Sequence, residues 1–160
     1  DTTKFILIDN LIPLFVSSTY IKIDKSNRLI RKIVESALLP KNGKRKTSEG
    51  KNREEADGSR ARWAIVEGET NVKEKRSGIL FMSHPSNRQH PEPLRVWPED
   101  ANDGKGDIMF NITPIRYKPW KIEPKQDYTL KYRMVVFDGE LSKESAEVYW
   151  TSFANSPKVN

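Results

Sequence analysis

The stretch Asp127–Phe137, reading DYTLKYRMVVF, decides the fold class. Aromatic and β-branched residues favour pleated backbone, and here they alternate with polar ones. Leu130, Tyr132, Met134 and Val136 fall on one face of the predicted strand, and Thr129, Lys131 and Arg133 on the other. Asp138-Gly139 closes the strand with a turn signal. Beyond it Ser142 can cap a helix, and Ala146, Tyr149, Trp150, Phe153 and Ala154 make one apolar stripe at helical spacing. A stripe of this kind requires a surface to pack on.

Further strands are predicted upstream. Thr3–Asp9 and Leu14–Asp24 read as strands around a corner at Pro13, and Ile30–Ser36 as a strand or a short helix. Residues Ala61–Glu67 form a strand ended by Gly68, and Gly78–Ser83 the next. Seven of the ten prolines lie between Pro85 and Pro124, which restricts that region to short strands at Leu94–Trp97 and Ile108–Ile112. Between Pro40 and Ser59 the only apolar side chain is Ala56, so 40–59 is expected to be a mobile basic loop. Many short strands, Gly/Pro-rich connections and one C-terminal helix point to a mainly β chain, an antiparallel β-sandwich. Residues 1–160 are expected to be one such domain or the C-terminal part of a larger one.

Composition narrows the chemistry. There is no cysteine, hence no disulfide framework, thiolate metal site or cysteine nucleophile. No glycine-rich phosphate loop, nucleophile elbow or paired zinc motif is present. The longest apolar stretch, Phe5–Val16, is interrupted by Asp9, Asn10 and Pro13 and is too short to span a bilayer. No membrane partner is expected. The net charge of +6 comes largely from residues 41–62, which hold eight Lys/Arg against four Asp/Glu. A solvated loop accounts for that surplus, so nucleic acid is not the expected partner.

Both histidines, His84 and His90, lie on the proline-stiffened loop after the Gly78–Ser83 strand, each directly before a proline. Loops carried by a rigid scaffold commonly hold binding sites. Their i, i+6 spacing matches no standard metal motif, although Glu92, Glu99, Asp100 and Asp103 lie nearby in sequence. No metal or other cofactor is expected. Imidazole does suit acid–base work near neutrality, which makes His84 and His90 the candidate catalytic residues. The sequence does not name the group that would stand opposite them. Trp63 and Trp150 read as core. Trp97 and Trp120, in proline-rich loops, are candidate ligand contacts beside Asn87. Arg60, Arg62 and Arg133 could clamp a carboxylate or phosphate bidentately, although the polar face of a strand such as Asp127–Phe137 is expected to be solvated.

These residues resemble a known pattern. Ser48-Glu49-Gly50, Gly58-x-Arg60-Ala61-x-Trp63, Gly78-Ile79, His84-Pro85-Ser86-Asn87-x-x-His90-Pro91, and Tyr132-Arg133 followed by Val135-Val136-Phe137-Asp138-Gly139 are similar to a bacterial family of unknown function. Its members are often labelled "methane oxygenase PmoA". The resemblance covers roughly residues 25–155. It implies a galactose-mutarotase-like β-supersandwich and carbohydrate-related ligands, bound or modified. An oxygenase subunit would need membrane-spanning helices, which this chain lacks the apolar runs to make. Family members carry an upstream Asp-His-Pro-His-His run that this sequence does not contain. The chain is therefore expected to correspond to the C-terminal part of the family domain, with an N-terminal part or another chain as partner. The alternative expectation is a structural or interaction module without catalysis.

Overall fold

The computed structural model describes residues 6–13, 44–69, 75–100, 103 and 109–156. The strands predicted at Leu14–Asp24 and Ile30–Ser36 lie outside them. Elements follow in the order β1 (Ile6–Pro13), β2 (Lys44–Thr47), a helical turn α1 (Arg53–Ala56), β3 (Trp63–Glu69), β4 (Arg76–Ser83), β5 (Leu94–Val96), β6 (Phe110–Ile112), β7 (Thr129–Asp138) and α2 (Lys143–Ala154). The main sheet is fully antiparallel in the order β1-β7-β4-β3-β2, and β5 and β6 make a separate two-stranded antiparallel sheet. The fold is thus mainly β, with antiparallel sheets, one C-terminal helix and a sandwich-like arrangement.

Register fixes which residues share a face. Trp63, Met82 and Arg133 lie in one row across β3, β4 and β7, and Ile65, Leu80 and Val135 in the next. On that face Trp63, Ile65, Leu80, Met82, Val135 and Phe137 pack with Ala146 and Phe153 of α2 into the principal core. Tyr149 and Trp150 close its margin. The predicted apolar stripe is therefore the docking face of the helix. Ser142 caps it by accepting from the Ser145 backbone N–H at 3.1 Å.

The opposite face presents Ala64, Val66, Ile79 and Val136, all buried. Phe81 reaches Phe110 of the small sheet there, with ring centroids 4.7 Å apart. A second cluster of Ala56, Ala61, Leu94 and Val96 joins α1 to that small sheet. Burial on both faces explains the near-continuous apolar runs of β3 and β4. It also requires Gly78. A Cβ there would stand 2.5 Å from Phe137 Cζ and 2.8 Å from both Glu67 Cβ and the Val66 carbonyl.

Three expectations are corrected. β3 continues through Gly68 to Glu69, because Gly68 pairs with Ser77 in the ladder. The face of β7 carrying Lys131 and Arg133 is not a solvated one, since it is the side α2 covers. Arg133 lies along it with its guanidinium carbon 4.7 Å from the Phe153 ring centroid, as long cationic side chains do over apolar surface. The region expected to be a mobile loop at 40–59 holds, from residue 44 on, a strand and a capped helical turn. Asn52 accepts from the Glu54 and Glu55 N–H groups while Glu55 accepts from the Asn52 N–H, which completes a capping box. Arg53 donates to the carbonyls of Trp97 and Pro98 at 3.0 and 3.1 Å. Hydrogen bonds and the single Ala56 organise this segment where an apolar pattern could not.

Candidate functional site

The candidate site is built on the loop that leaves β4. Antiparallel pairing sets Ser83, the last residue of β4, opposite Tyr132 of β7. Their side chains point to the same face and meet the carboxyl of Glu92, whose exposure is 0%. Glu92 Oε2 accepts from the Ser83 hydroxyl. Glu92 Oε1 accepts from Asn87 Nδ2 and from the Tyr132 hydroxyl, each at 3.1 Å. Burial, with the Glu92 charge beside it, drives the Tyr132 pKa far above the phenol range, so Tyr132 remains a donor.

Asn87 ties the loop to the sheet. Its Oδ1 accepts from the Lys131 N–H at 2.6 Å and its Nδ2 donates to the Lys131 carbonyl at 2.8 Å. The amide side chain thus takes the place of a strand residue beside β7, and the His84 N–H joins the same Lys131 carbonyl at 3.1 Å. Asn87 Nδ2 also lies 3.2 Å from Ser83 Oγ.

His90 completes the network. Its Nδ1 is 3.0 Å from Ser83 Oγ and 3.7 Å from Glu92 Oε2. Ser83 has one proton, and it goes to Glu92. Toward His90 the serine oxygen is therefore an acceptor, and Nδ1 carries the imidazole proton. The order carboxylate, serine, imidazole differs from a nucleophilic triad, in which the imidazole stands between the other two. Here the serine is spent as a bridge, and it orients the ring. Nε2 is left with its lone pair, and among the described residues it has no hydrogen-bond partner. The ring lies nearly parallel to Trp150, interplanar angle 11° and centroids 6.2 Å apart. Trp150 itself is fixed by donating Nε1–H to the Ser83 carbonyl at 3.0 Å. Burial lowers the His90 pKa, Glu92 raises it and Arg62 lowers it again; the net shift is downward. The ring is therefore a neutral base near pH 7.

The structure brings His84 to the same end of the sheet but gives it a different environment. Its Nδ1 accepts from the Ser86 N–H at 3.1 Å and lies 2.7 Å from Ser86 Oγ. The proton is consequently on Nε2, which is buried and makes no well-aligned hydrogen bond, although against the larger effect of burial the Ala154 backbone near it raises the ring's pKa. The ring packs edge-on against Phe153 at 5.1 Å. Burial, then Lys131 and His90, lower its pKa. Both rings thus lie against α2, His84 on Phe153 and His90 on Trp150.

The remaining candidates are dispersed. Arg60 NH1 donates to the carbonyls of Gln89 and Pro91 at 3.0 and 2.8 Å, gripping the residues on either side of His90. Arg62 is held by both oxygens of Glu147 at 2.8 Å and by Glu49 at 3.2 Å, over the Trp150 ring. Trp120 meets Tyr128 edge-on at 5.3 Å and lies under the Arg88 guanidinium. Trp97 follows β5, at its far end from Glu92. Arg133 neighbours Met82 in register and acts on His84 through its charge. Sequence reasoning named Glu92 only as a possible metal ligand and missed Ser83 and Trp150 as site residues. Among the described residues no three His, Asp or Glu gather as a metal site would need. No helix there is long and apolar enough to cross a membrane.

Residues 31–151 match a family of unknown function (DUF6807), and the chain belongs to that family. No curated protein and no solved structure matches it.

Proposed function

We propose that this chain is a carbohydrate-related domain, sugar-binding or part of a sugar-modifying enzyme, in which His90 is the group that meets the ligand. The observation that carries this reading is the unclaimed Nε2 of His90, on a ring whose other nitrogen is fixed through Ser83 to Glu92. A neutral imidazole held in one tautomer accepts a hydrogen bond from a sugar hydroxyl, and can take its proton in a general-base step. Glu92, through the serine, stabilises the imidazolium such a step would form. The loop resemblance over His84–Pro91 supports the saccharide assignment and, as part of the same proposal, a galactose-mutarotase-like relationship for the PmoA-like family. Asn87 positions the loop from beneath. Trp120, Arg60 and Arg88 lie at or near the loop's rim.

The test is a saccharide screen of the full chain read by long-range ¹H–¹⁵N spectra of the two histidine rings. A ligand that engages the site shifts His90 Nε2 and leaves the buried His84 nearly unmoved. His90→Ala is expected to abolish that binding in a chain that remains folded at neutral pH. A screen in which no sugar perturbs His90, or in which His90→Ala binds normally, would rule the site out and favour the interaction-module reading. Gel filtration would then be expected to show a larger assembly.

A further inference from the structure

Resting on the saccharide reading, one feature of the loop specifies the ligand's charge. Three arginines around the small sheet and α2 have carboxylate partners: Arg62 has Glu147 and Glu49, and Arg95 and Arg116 share Asp57. Arg60 and Arg88 have none among the described residues. Both are nevertheless held in place. Arg60 spends only NH1, on the Gln89 and Pro91 carbonyls. Arg88 donates NH2 to the Pro119 carbonyl at 3.3 Å and stacks 5.0 Å above Trp120, with its Nε buried and unbonded. The acceptors of Arg60 are the residues immediately before and after His90, and Arg88 precedes His90 by two. The loop's own carboxyl, Glu92, is fully buried and occupied by Ser83, Asn87 and Tyr132.

Carbonyl oxygens fix a guanidinium without neutralising it. They leave its other N–H groups free for a planar anion. A cation immobilised beforehand also loses little conformational freedom when it binds. We infer that the saccharide carries a carboxylate, as a uronic acid residue does, and that Arg60 takes that carboxylate while His90 Nε2 takes a neighbouring hydroxyl.

Calorimetry on the full chain with tetragalacturonate and with its methyl ester separates charge from sugar shape, with the His90 ring signal locating the contact. The acid is expected to bind at least about tenfold more tightly than the ester, as one good charged contact allows. Arg60→Gln is expected to remove that advantage, bringing the acid's affinity down to that of the ester in the same variant. Equal affinities for acid and ester, with His90 perturbed by both, would overturn the charge inference and leave the saccharide reading standing. No perturbation of His90 by either would overturn both. Polyglutamate binding as tightly as the acid, with the same His90 shift, would replace a uronate site by a general acidic one. Should Arg60→Gln itself displace the His90 signal in the free protein, Arg60→Lys, which keeps a cation for the Gln89 and Pro91 carbonyls but loses the guanidinium fork, carries the comparison. An unchanged acid-to-ester ratio in that variant overturns the assignment of the carboxylate to Arg60.

Discussion

Two carboxyl groups organise this molecule, and their surroundings are opposite. Asp57 lies under the small sheet among cations. Arg116 donates to both its oxygens at 2.9 and 2.8 Å, Arg95 to Oδ2 at 3.0 Å, and the Val96 N–H to Oδ1 at 2.9 Å. Glu92 lies at the end of the main sheet among neutral donors, a serine, an asparagine and a tyrosine, with a histidine one hydroxyl away. The Asp57 charge is cancelled where it stands, chiefly by its hydrogen bonds to Arg116, and its pKa is held far below the carboxylate range. The Glu92 charge has no cation in its first circle. Its influence passes to the one group nearby able to become positive, His90. One carboxyl is a clamp and the other a source of bias on a titratable ring.

The comparison is most exposed to substitution at Glu92 itself. Glu92→Ala strands three buried donors, and leaving buried polar groups unpaired costs roughly 1–3 kcal/mol each. A loss of about 3 kcal/mol or more is expected from the urea denaturation midpoint. Asp57→Ala should cost less, about 2 kcal/mol. The Asp57 side chain is 29% exposed and the Arg116 side chain 23%, so water can replace part of what is lost. If Asp57→Ala proves the more damaging of the two, cation pairing rather than neutral-donor burial governs the fold here.

Acid separates the two regions further. Asp57 has a folded pKa below its ordinary 3.8, so the unfolded chain takes up the proton first. Its contribution is complete above 3.8 and is lost as the pH falls below that value. His84 and His90 fold with pKa values below their ordinary 6.5, through burial first. Their contribution is complete above 6.5 and declines as the pH falls through and below it. Melting temperature plotted from pH 8 to 3 should therefore fall in two stages. Asp57→Asn diminishes the lower stage only, since Glu147, whose pKa burial raises but the bonds from Arg62 and Trp63 bring down below its ordinary value, loses its contribution there as well. His90→Asn diminishes the upper one only. A single fall confined to the lower range would show that the histidines are indifferent to folding.

Much of this architecture was legible in the sequence. Strands β3, β4 and β7 and helix α2 are announced by apolar spacing, which burial imposes directly. The Asp57 and Glu92 regions were not legible. The segment before Asp57 buries Thr47, Ser48 and Arg53 through hydrogen bonds, so it carries no apolar signature. Glu92 sits between Pro91 and Pro93, where a charged residue reads as solvent-facing. Its partners come from the end of β4, from Asn87 within the loop and from β7, and only the path of the loop brings them together. His84 and His90 could be placed at one end of the sheet because the prolines leave the loop little room to travel. Their opposite tautomers depend on Ser83 and Ser86, and spacing cannot reveal those contacts.

The finest test of the comparison keeps the shape of Glu92 and removes its charge. Glu92→Gln keeps an oxygen for Asn87 and Tyr132 but turns an NH2 donor to Ser83, whose proton is then free to go to His90 Nδ1. It also removes the negative charge that raises the His90 pKa, so both changes act on the ring in the same direction. Burial and Arg62, the two influences that lower it, remain in place. The His90 titration midpoint, followed by NMR, should therefore move to lower pH than in the wild type. Asp57→Asn should leave it where it was, because Asp57 is not among the groups acting on that ring. Arg62→Gln should move it upward. A midpoint unmoved or raised in Glu92→Gln would mean that the serine bridge does not transmit the carboxylate's charge, and that Glu92 only holds the loop together. A downward shift would make His90 a weaker base in the variant, so ligand contact through Nε2 should weaken with it even though no ligand-contacting residue has been changed.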